Sequence, residues 1–446
     1  MDSLTGRTVD LLQELIRNRC VNDGTADSGL EVRNAETLKA YLQHPSVDIE
    51  MFEPHPNRVS LAARLTGTNP KAPKLCLMGH TDVVPANPDG WLHDPFGAEI
   101  IDDEIWGRGT VDMLNLTSSM AVAFRQIATG TKRYEGDIIF FGVADEEAGG
   151  KYGAQPILEN HWDAVGAEMV LTEYGGIQSG NTVFMTTAEK GADWRMIEVS
   201  GSPGHGSMPY KTDNALIKAA KIVSLIHEYN PKPRLDSFWQ DRVAALDIDQ
   251  SLKASLLNPE LVNESLAELP DDEARNAHAC IHTTFSPNVI HGGAKTNIIP
   301  EKVQIEIDIR ALPGETPTDI DNHLKLALGE FYDQVTISSL SNNEIGSDSN
   351  ISTKSETSGM LWNALSTAVN ASCPTADTRA SIVTGATDGR FYRRRGSTVY
   401  GAGLLSNQVS SGEFFSRFHG HNERIDLESL KLTSQLWLDT IDLLWK

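Results

Sequence analysis

The first third of the chain alternates between amphipathic helices and short apolar segments. Apolar residues recur at helical spacing over residues 5–19 and 31–43. The segments that follow are apolar on successive residues, which is typical of strands buried on both faces of a sheet. These predicted strands are residues 59–65, 74–78, 137–143 and 168–172, with a helix predicted over 116–128. The alternation predicts an α/β fold with a mainly parallel or mixed sheet.

The pattern changes in the middle of the chain. The order there is strand, helix, strand, strand, helix, strand, with a polar and acidic helical stretch near residues 247–276 and the second strand beginning at His278. Such an order is typical of a compact two-layer α+β unit. A last amphipathic helix is predicted over 427–444. The predicted domains are residues 1–186 and 343–446 for a catalytic domain and 187–342 for an insert.

Charge and hydropathy narrow the class of partner. The 446 residues carry a formal net charge of −23, whereas nucleic acids and anionic membranes require a basic face. The first twenty residues lack the basic start and apolar core of a secretory signal, and no apolar run is long enough to span a bilayer. We therefore expect a cytoplasmic protein with a small-molecule partner and with neither nucleic acid nor membrane.

Side chains with metal-binding chemistry follow the ends of the predicted strands. The candidate residues are His80, Asp82, Asp112, Glu146, Glu147 and Glu173. Ligands of open α/β sheets bind outside the carboxyl ends of the strands, and imidazole together with carboxylate suits zinc and its neighbours. The pattern therefore indicates a metal site in one crevice at the edge of the sheet.

The motifs around these residues resemble one family over nearly the whole chain. They are GHTDVVP with W-x-x-DPF, WGRGTVDM, the Glu146–Glu147 pair, Glu173 in TEYGG, GHGSMP and a late H-x-x-N-E. In this order they resemble the co-catalytic zinc metallopeptidases that include aminoacylase-1, carboxypeptidase G, acetylornithine deacetylase and succinyl-diaminopimelate desuccinylase. The resemblance implies an α/β/α catalytic domain of the zinc-exopeptidase type, with a mixed sheet and an inserted two-layer α+β lid or dimerisation domain.

The resemblance also implies a ligand set for two Zn²⁺ ions, with Co²⁺ or Mn²⁺ as alternatives. His80 and Glu173 would hold one ion, and Glu147 and His419 would hold the other. Asp112 would bridge the two ions, and the family has a cis peptide bond at the position that follows it. The remaining coordination sites would be left for water.

Further roles follow from the same resemblance. Glu146 would act as the general base, and Asp82 would hold the ring of His80. His205, in GHGSMP, would reach the active site of the partner subunit in a homodimer formed through the lid and stabilise the oxyanion. The residues implied in binding the substrate carboxylate are Asn297 in KTNIIP, Arg310 in DIRALPG and Arg390 in GATDGRF.

The expected function is hydrolysis of an amide or peptide bond next to a free carboxylate, as in an N-acyl amino acid or a dipeptide. Two alternatives stay open. One is a ureido or acyl-diamine amidase of the same family, and the other is a non-catalytic binding protein that keeps the fold. The arginine run 393–395 is expected to be a solvated face.

Overall fold

The structure is a computed structural model that describes residues 3–340, 351–409 and 411–445. The strands are β1 (Val47–His55), β2 (Arg58–Leu65), β3 (Leu75–His80), β4 (Glu99–Ile101), β5 (Glu104–Trp106), β6 (Ile138–Val143), β7 (Met169–Thr172), β8 (Ile177–Ser179), β9 (Thr182–Glu189), β10 (Gly191–Ala192), β11 (Arg195–Ser200), β12 (Gly204–His205), β13 (Thr284–Gly292), β14 (Ile298–Ile299), β15 (Lys302–Ala311), β16 (Val335–Ser339), β17 (Thr353–Lys354), β18 (Asp377–Val383), β19 (Thr398–Gly401) and β20 (Arg424–Asp426).

The helices are α1 (Ser3–Arg17), α2 (Val32–Leu42), α3 (Leu114–Ala128), α4 (Ala154–Asn160), α5 (Trp162–Val165), α6 (Ala215–Glu228), α7 (Ser237–Ala245), α8 (Gln250–Leu256), α9 (Val262–Ser265), α10 (Asp271–Ile281), α11 (Pro317–Leu328), α12 (Met360–Ser372), α13 (Gly389–Arg393), α14 (Ser411–Arg417) and α15 (Leu427–Leu444). None of them, within the part of the chain that the structure describes, is long and apolar enough to cross a membrane.

The larger sheet is mixed and runs in the order β1–β2–β6–β3–β7–β19–β9–β17, with β8 and β18 also paired to β9. Strands β6, β3 and β7 are adjacent and parallel. All six residues of β3 and of β6 are buried, which explains their unbroken apolar sequences. The carboxyl ends of these three strands therefore meet at one edge of the sheet, where the candidate site lies.

Helices cover both faces of this sheet. On one face α1, α3, α12 and α15 bury a continuous apolar core that includes Leu12, Phe124, Leu365 and Trp437. On the other face α4, α5 and α13 bury a smaller core that includes Ile157 and Tyr392. The α/β/α arrangement predicted from the sequence is confirmed.

A second, antiparallel sheet runs in the order β10–β15–β11–β16, with β13 also paired to β15. The alternating burial along β15 turns its apolar residues towards α6 and α11, which form the second layer. The sheet begins at Gly191, directly after β9 of the larger sheet ends at Glu189. The division into domains remains a prediction, and the predicted boundary at 342 and 343 lies outside the described residues.

The acidic stretch forms a helical unit of its own. Helices α7, α8, α9 and α10 bury a separate apolar cluster around Trp239, whose indole N–H donates to the carbonyl of Leu256 at 2.7 Å. The prediction of a strand beginning at His278 is wrong for its first residues. His278–Ile281 complete α10, whose Ala277 and Ile281 are buried in this cluster, and the strand begins at Thr284. Tertiary packing thus outweighs local strand propensity here.

Candidate metal centre

His80 ends β3 and is almost wholly buried. Its Nε2 lies 3.0 Å from Oδ1 of Asp112, and its Nδ1 lies 2.9 Å from the backbone carbonyl of Asp82. The hydroxyl of Thr117 donates to the His80 carbonyl at 2.7 Å. These contacts fix the ring with Nε2 directed at the neighbouring acids. An imidazole whose second nitrogen is already engaged in this way is well oriented as a metal ligand.

Asp82 contacts the His80 ring, and its predicted role in holding that ring remains a prediction. Its carboxylate Oδ1 lies 3.6 Å from Nδ1 of His80, and its backbone carbonyl lies closer to the same nitrogen, at 2.9 Å. The two carboxylate oxygens of Asp82 accept the backbone N–H groups of Glu146 at 3.3 Å and Glu147 at 3.2 Å. One of them also accepts the side-chain amide of Asn22. Asp82 therefore joins the loop after β3 to the turn after β6.

The turn after β6 directs two glutamates into the site. Asp145 adopts a left-handed backbone conformation, with φ of 68°, just before the short 3₁₀ turn Glu146–Ala148. Its buried carboxylate accepts from Arg58 at 2.5 Å, and Arg58 also pairs with buried Glu31. This buried ion cluster anchors the turn from behind, since breaking a pair of this kind leaves an uncompensated charge.

Five of the predicted residues come together in two groups that share Asp112. His80, Asp112 and Glu173 form one group, and Asp112, Glu147 and His419 form the other. Nε2 of His419 lies 3.2 Å from Oδ2 of Asp112 and 3.3 Å from Oε2 of Glu147. Asp112 is also joined to Met113 by a cis peptide bond, as the resemblance implies. Each oxygen of Asp112 thus faces one histidine.

Electrostatics inside the site are dominated by crowded carboxylates. Burial, with the charges of neighbouring acids, raises the pKa of Glu146 and of Glu173 well above the ordinary value and also raises the pKa of Glu147. Hydrogen bonds with Asp112 and Glu147 raise the pKa of His419 to about 10. A buried excess of negative charge of this kind is costly unless cations compensate it.

The donor atoms suit a pair of divalent ions. Within each group they lie no more than 4.8 Å from one another. Oε1 of Glu147 is buried and has no hydrogen-bond partner among the described residues, so it keeps a lone pair for a ligand. Imidazole nitrogens with carboxylate oxygens form the ligand chemistry of catalytic zinc and related ions. The residues present therefore fit a two-metal centre.

Glu423, which sequence reasoning did not single out, holds the segment that carries Asp112. Its buried carboxylate accepts the backbone N–H groups of Gly109, Val111 and Asp112 at 2.7–3.2 Å. The other oxygen accepts from Arg108 at 2.6 Å. Burial raises the pKa of Glu423 to about 7. The only signal in the sequence was its place at the end of the H-x-x-N-E motif.

Replacing Glu423 by alanine is expected to lower the free energy of unfolding by about 3–5 kcal/mol, because Arg108 would lose the partner of a buried ion pair. Three backbone N–H groups would also lose their acceptor. Urea unfolding of the metal-free protein measures the change. Glu428→Ala is the control, since Glu428 forms only an exposed pair with Lys431 and should cost far less. Equal stability of the two variants would contradict the assignment.

Tyr174 is a second residue that the sequence did not single out. Its hydroxyl donates to Oδ2 of Asp112 at 3.1 Å, and its ring stacks on Phe418 with 5.1 Å between centroids. Burial raises its pKa well above the ordinary value, so the hydroxyl stays protonated and remains a donor. Its position directly after Glu173 was the only sequence signal for this contact.

The predicted lid residues lie outside the two groups of ligands. Strands β12 and β14 pair His205 with Ile298, which places His205 beside exposed Asn297. The His205 ring is exposed and lies 2.8 Å from the hydroxyl of Ser207. Arg310 forms an ion pair with Asp308 of the same strand, at 2.7 Å. The roles of these residues remain predictions.

Arg390 and Arg393, both on α13, are buried. Arg390 is 5% exposed and donates to the carbonyls of Thr387 at 2.6 Å and Gly149 at 2.8 Å, so it braces the turn that carries the glutamates. The prediction of a solvated arginine run is wrong for Arg393, which pairs inside the protein with Glu189. Arg394 and Arg395 are exposed as expected.

The sequence of the chain matches a known family of proteins. The sequence profile of Peptidase family M20/M25/M40 matches residues 76–443. A probable carboxypeptidase S-like protein 2 of Dictyostelium discoideum is 26% identical over 390 residues, covering 83% of this chain and 72% of that protein. Aminoacylase-1 of Mus musculus is 26% identical over 363 residues, covering 80% of this chain and 77% of that protein.

Solved structures of the family share the fold. An M20 family metallo-carboxypeptidase from Sulfolobus solfataricus superposes with a TM-score of 0.70 at 17% identity, covering 99% of both chains. A dinuclear metal-binding M20 peptidase from Bacillus subtilis superposes with a TM-score of 0.61 at 14% identity, covering 100% of both chains. The chain belongs to peptidase family M20/M25/M40 and is a hydrolytic enzyme of the metallopeptidase and aminoacylase type.

Proposed function

We propose that this protein uses two metal ions to hydrolyse an amide or peptide bond next to a free carboxylate, in an N-acyl amino acid or a short peptide. The observation that carries the proposal is the pair of ligand groups sharing Asp112, with Glu146 beside them. Family membership supports the reaction class. The names of the relatives, an aminoacylase and a carboxypeptidase, support the substrate class.

The ligand assignment follows the two groups. His80 and Glu173 would hold one ion, Glu147 and His419 would hold the other, and Asp112 would contribute to both. Zn²⁺ is the ion we propose, and Co²⁺ or Mn²⁺ also suits these donors. When bound, such a pair lowers the pKa of water and polarises the carbonyl of the scissile bond. Half-exposed His419 marks the side from which substrate reaches the centre.

Glu146 is the proposed general base. It belongs to neither group of ligands, so its carboxylate is free to accept a proton from the attacking water and to pass it to the departing amine nitrogen. Its backbone N–H is held by Asp82, and the turn behind it is anchored by Arg58 and braced by Arg390. These contacts hold the backbone of Glu146 and its turn, which supports a fixed position for the base. In this proposal Arg390 acts through the turn rather than on the substrate.

The substrate carboxylate is assigned to Asn297 and Arg310. A guanidinium binds a carboxylate through two parallel hydrogen bonds, and Arg310 already shows this mode with Asp308. Substrate would therefore have to displace Asp308. His205 is proposed to stabilise the oxyanion from the partner subunit of a homodimer. Its exposure on the chain described here supports that assignment.

The experiment that tests the proposal is a substrate panel. Metal-free enzyme is reconstituted with Zn²⁺, Co²⁺ or Mn²⁺ and offered N-acetyl amino acids, dipeptides, N-succinyl-diaminopimelate and ureido compounds. We expect metal-dependent hydrolysis of the first two groups. Turnover of the ureido or acyl-diamine compounds alone would favour the alternative amidase. No turnover of any compound by protein that has bound two metal ions would contradict the proposal.

A further inference from the structure

A cavity of about 380 Å³ opens beside the candidate metal centre. His419 and Tyr174 form the end next to the centre. The walls come from four parts of the fold, which are β8 with β9, the end of β18, α14, and the helical unit through α7 and α10. The volume falls in the range of small-molecule sites. The proposed function assigns no part of the substrate to this cavity.

The lining is largely apolar and aromatic. Phe184 lines the cavity from β9, and Phe238, Trp239 and Leu246 line it from the helical unit. Phe415 lines it from α14. Trp239 is 2% exposed and packs in the core of the helical unit, so this wall is set by folding rather than by a mobile side chain. Such a lining favours an apolar ligand group.

The charges in the lining are already paired. Arg242 donates to Oδ1 of Asn276 at 2.5 Å and lies 4.0 Å from Glu273. Both of these partners lie on α10 and also line the cavity. A substrate carboxylate entering here would have to compete with Glu273 for the guanidinium, at a cost in desolvation. The cavity is therefore poorly suited to the carboxylate end of a substrate.

We propose that this cavity binds the apolar group on the carbonyl side of the scissile amide. The inference rests on the proposed function. The residues assigned to the substrate carboxylate, Asn297 and Arg310, do not line the cavity, whereas His419 of the metal centre does. The group that projects from the metal centre into the cavity is then the one that lies across the scissile bond from the carboxylate.

Two kinds of substrate supply such a group. One is an N-acyl amino acid with a long acyl chain, and the other is a peptide whose N-terminal residue has a large apolar side chain. At the roughly 30 Å³ that a water molecule occupies in the liquid, the cavity has room for roughly a dozen non-hydrogen atoms. A chain of about ten carbon atoms would therefore fill it.

The test is a series of N-acyl derivatives of one amino acid, from acetyl to tetradecanoyl. We expect kcat/KM to rise about fourfold for each added methylene, as burial of apolar surface predicts, and to level off at about ten carbons. Dipeptides with alanine, leucine or phenylalanine at the N-terminus test the other kind of substrate, in which the apolar group is the side chain of the N-terminal residue. A series of equal kcat/KM values, with hydrolysis of the acetyl compound intact, would overturn the cavity proposal and leave the proposed function standing.

Variants locate the effect in the cavity. Ser381→Phe fills the space from β18 and should bring the ratio of decanoyl to acetyl kcat/KM down to about one. Phe184→Ala, which removes a wall, should lower the gain per methylene. The control is Leu326→Ala, because Leu326 is 72% exposed on α11 and lies away from the cavity lining. Unchanged chain-length dependence in both cavity variants would overturn the proposal.

A binding measurement separates the two hypotheses if no hydrolysis is seen. The Glu146→Gln protein, loaded with Zn²⁺, is titrated with the same acyl series by calorimetry. A Kd that falls with chain length, in the absence of turnover by the unmodified enzyme, supports the cavity and contradicts the proposed function. A Kd independent of chain length contradicts the cavity proposal whatever the activity.

Discussion

Replacing Glu146 by glutamine is expected to lower kcat by about 10²–10⁴-fold, which is the usual contribution of a positioned general base. The amide keeps the size of the side chain but cannot accept the proton of the attacking water. Because Glu146 lies in neither group of candidate ligands, bound metal should stay at two ions per chain. Steady-state kinetics and metal analysis of the same preparation test both parts.

The matched control is Glu50→Gln, the same chemical change at an exposed position on β1. Its activity and metal content should equal those of the unmodified enzyme. Full activity of Glu146→Gln would remove Glu146 as the base. A loss of metal in Glu146→Gln would instead show that Glu146 is a ligand, so the two measurements must be made together.

Replacing Asp112 by asparagine should have the widest effect on the metal centre. Asp112 is the member shared by both groups, and each of its oxygens faces a different histidine. A neutral amide offers one oxygen and no negative charge, so we expect bound metal to fall from two ions to less than one per chain. Activity should fall by more than about 10³-fold because water activation is lost.

Asp48→Asn, at an exposed site on β1, is the control for this change. Thermal unfolding of both proteins checks that the fold is kept. If Asp112→Asn retained two tightly bound ions and normal turnover, the bridging position of Asp112 would be refuted.

The sequence predicted the larger sheet well because its inner strands are buried on both faces. Strands β3, β6 and β7 are unbroken apolar runs, and that pattern has few alternative structures. Since the three strands are adjacent and parallel, the residues after them had to converge, and the structure does bring His80, Glu147 and Glu173 to one edge. Local pattern and topology together were sufficient for this part of the site.

The remaining contacts depend on pairings far apart in sequence. Glu423 accepts backbone N–H groups more than three hundred residues away. Because every residue type except proline has a backbone N–H, the side chains of the donor residues do not reveal such a contact. Arg393 lies in a basic run that is typical of a surface, yet it pairs with buried Glu189 on β9, which is far away in sequence. The end of α10 has the composition of a strand, and packing in the helical unit decides its structure.

The measurement that tests the central claim most directly is a titration of metal-free protein with Zn²⁺ while hydrolysis of an N-acyl amino acid is followed. The account predicts that activity is absent without metal and reaches its maximum as the second ion binds. Full hydrolysis by metal-free protein, or saturation of activity with no ion bound at the His80 and His419 groups, would contradict it.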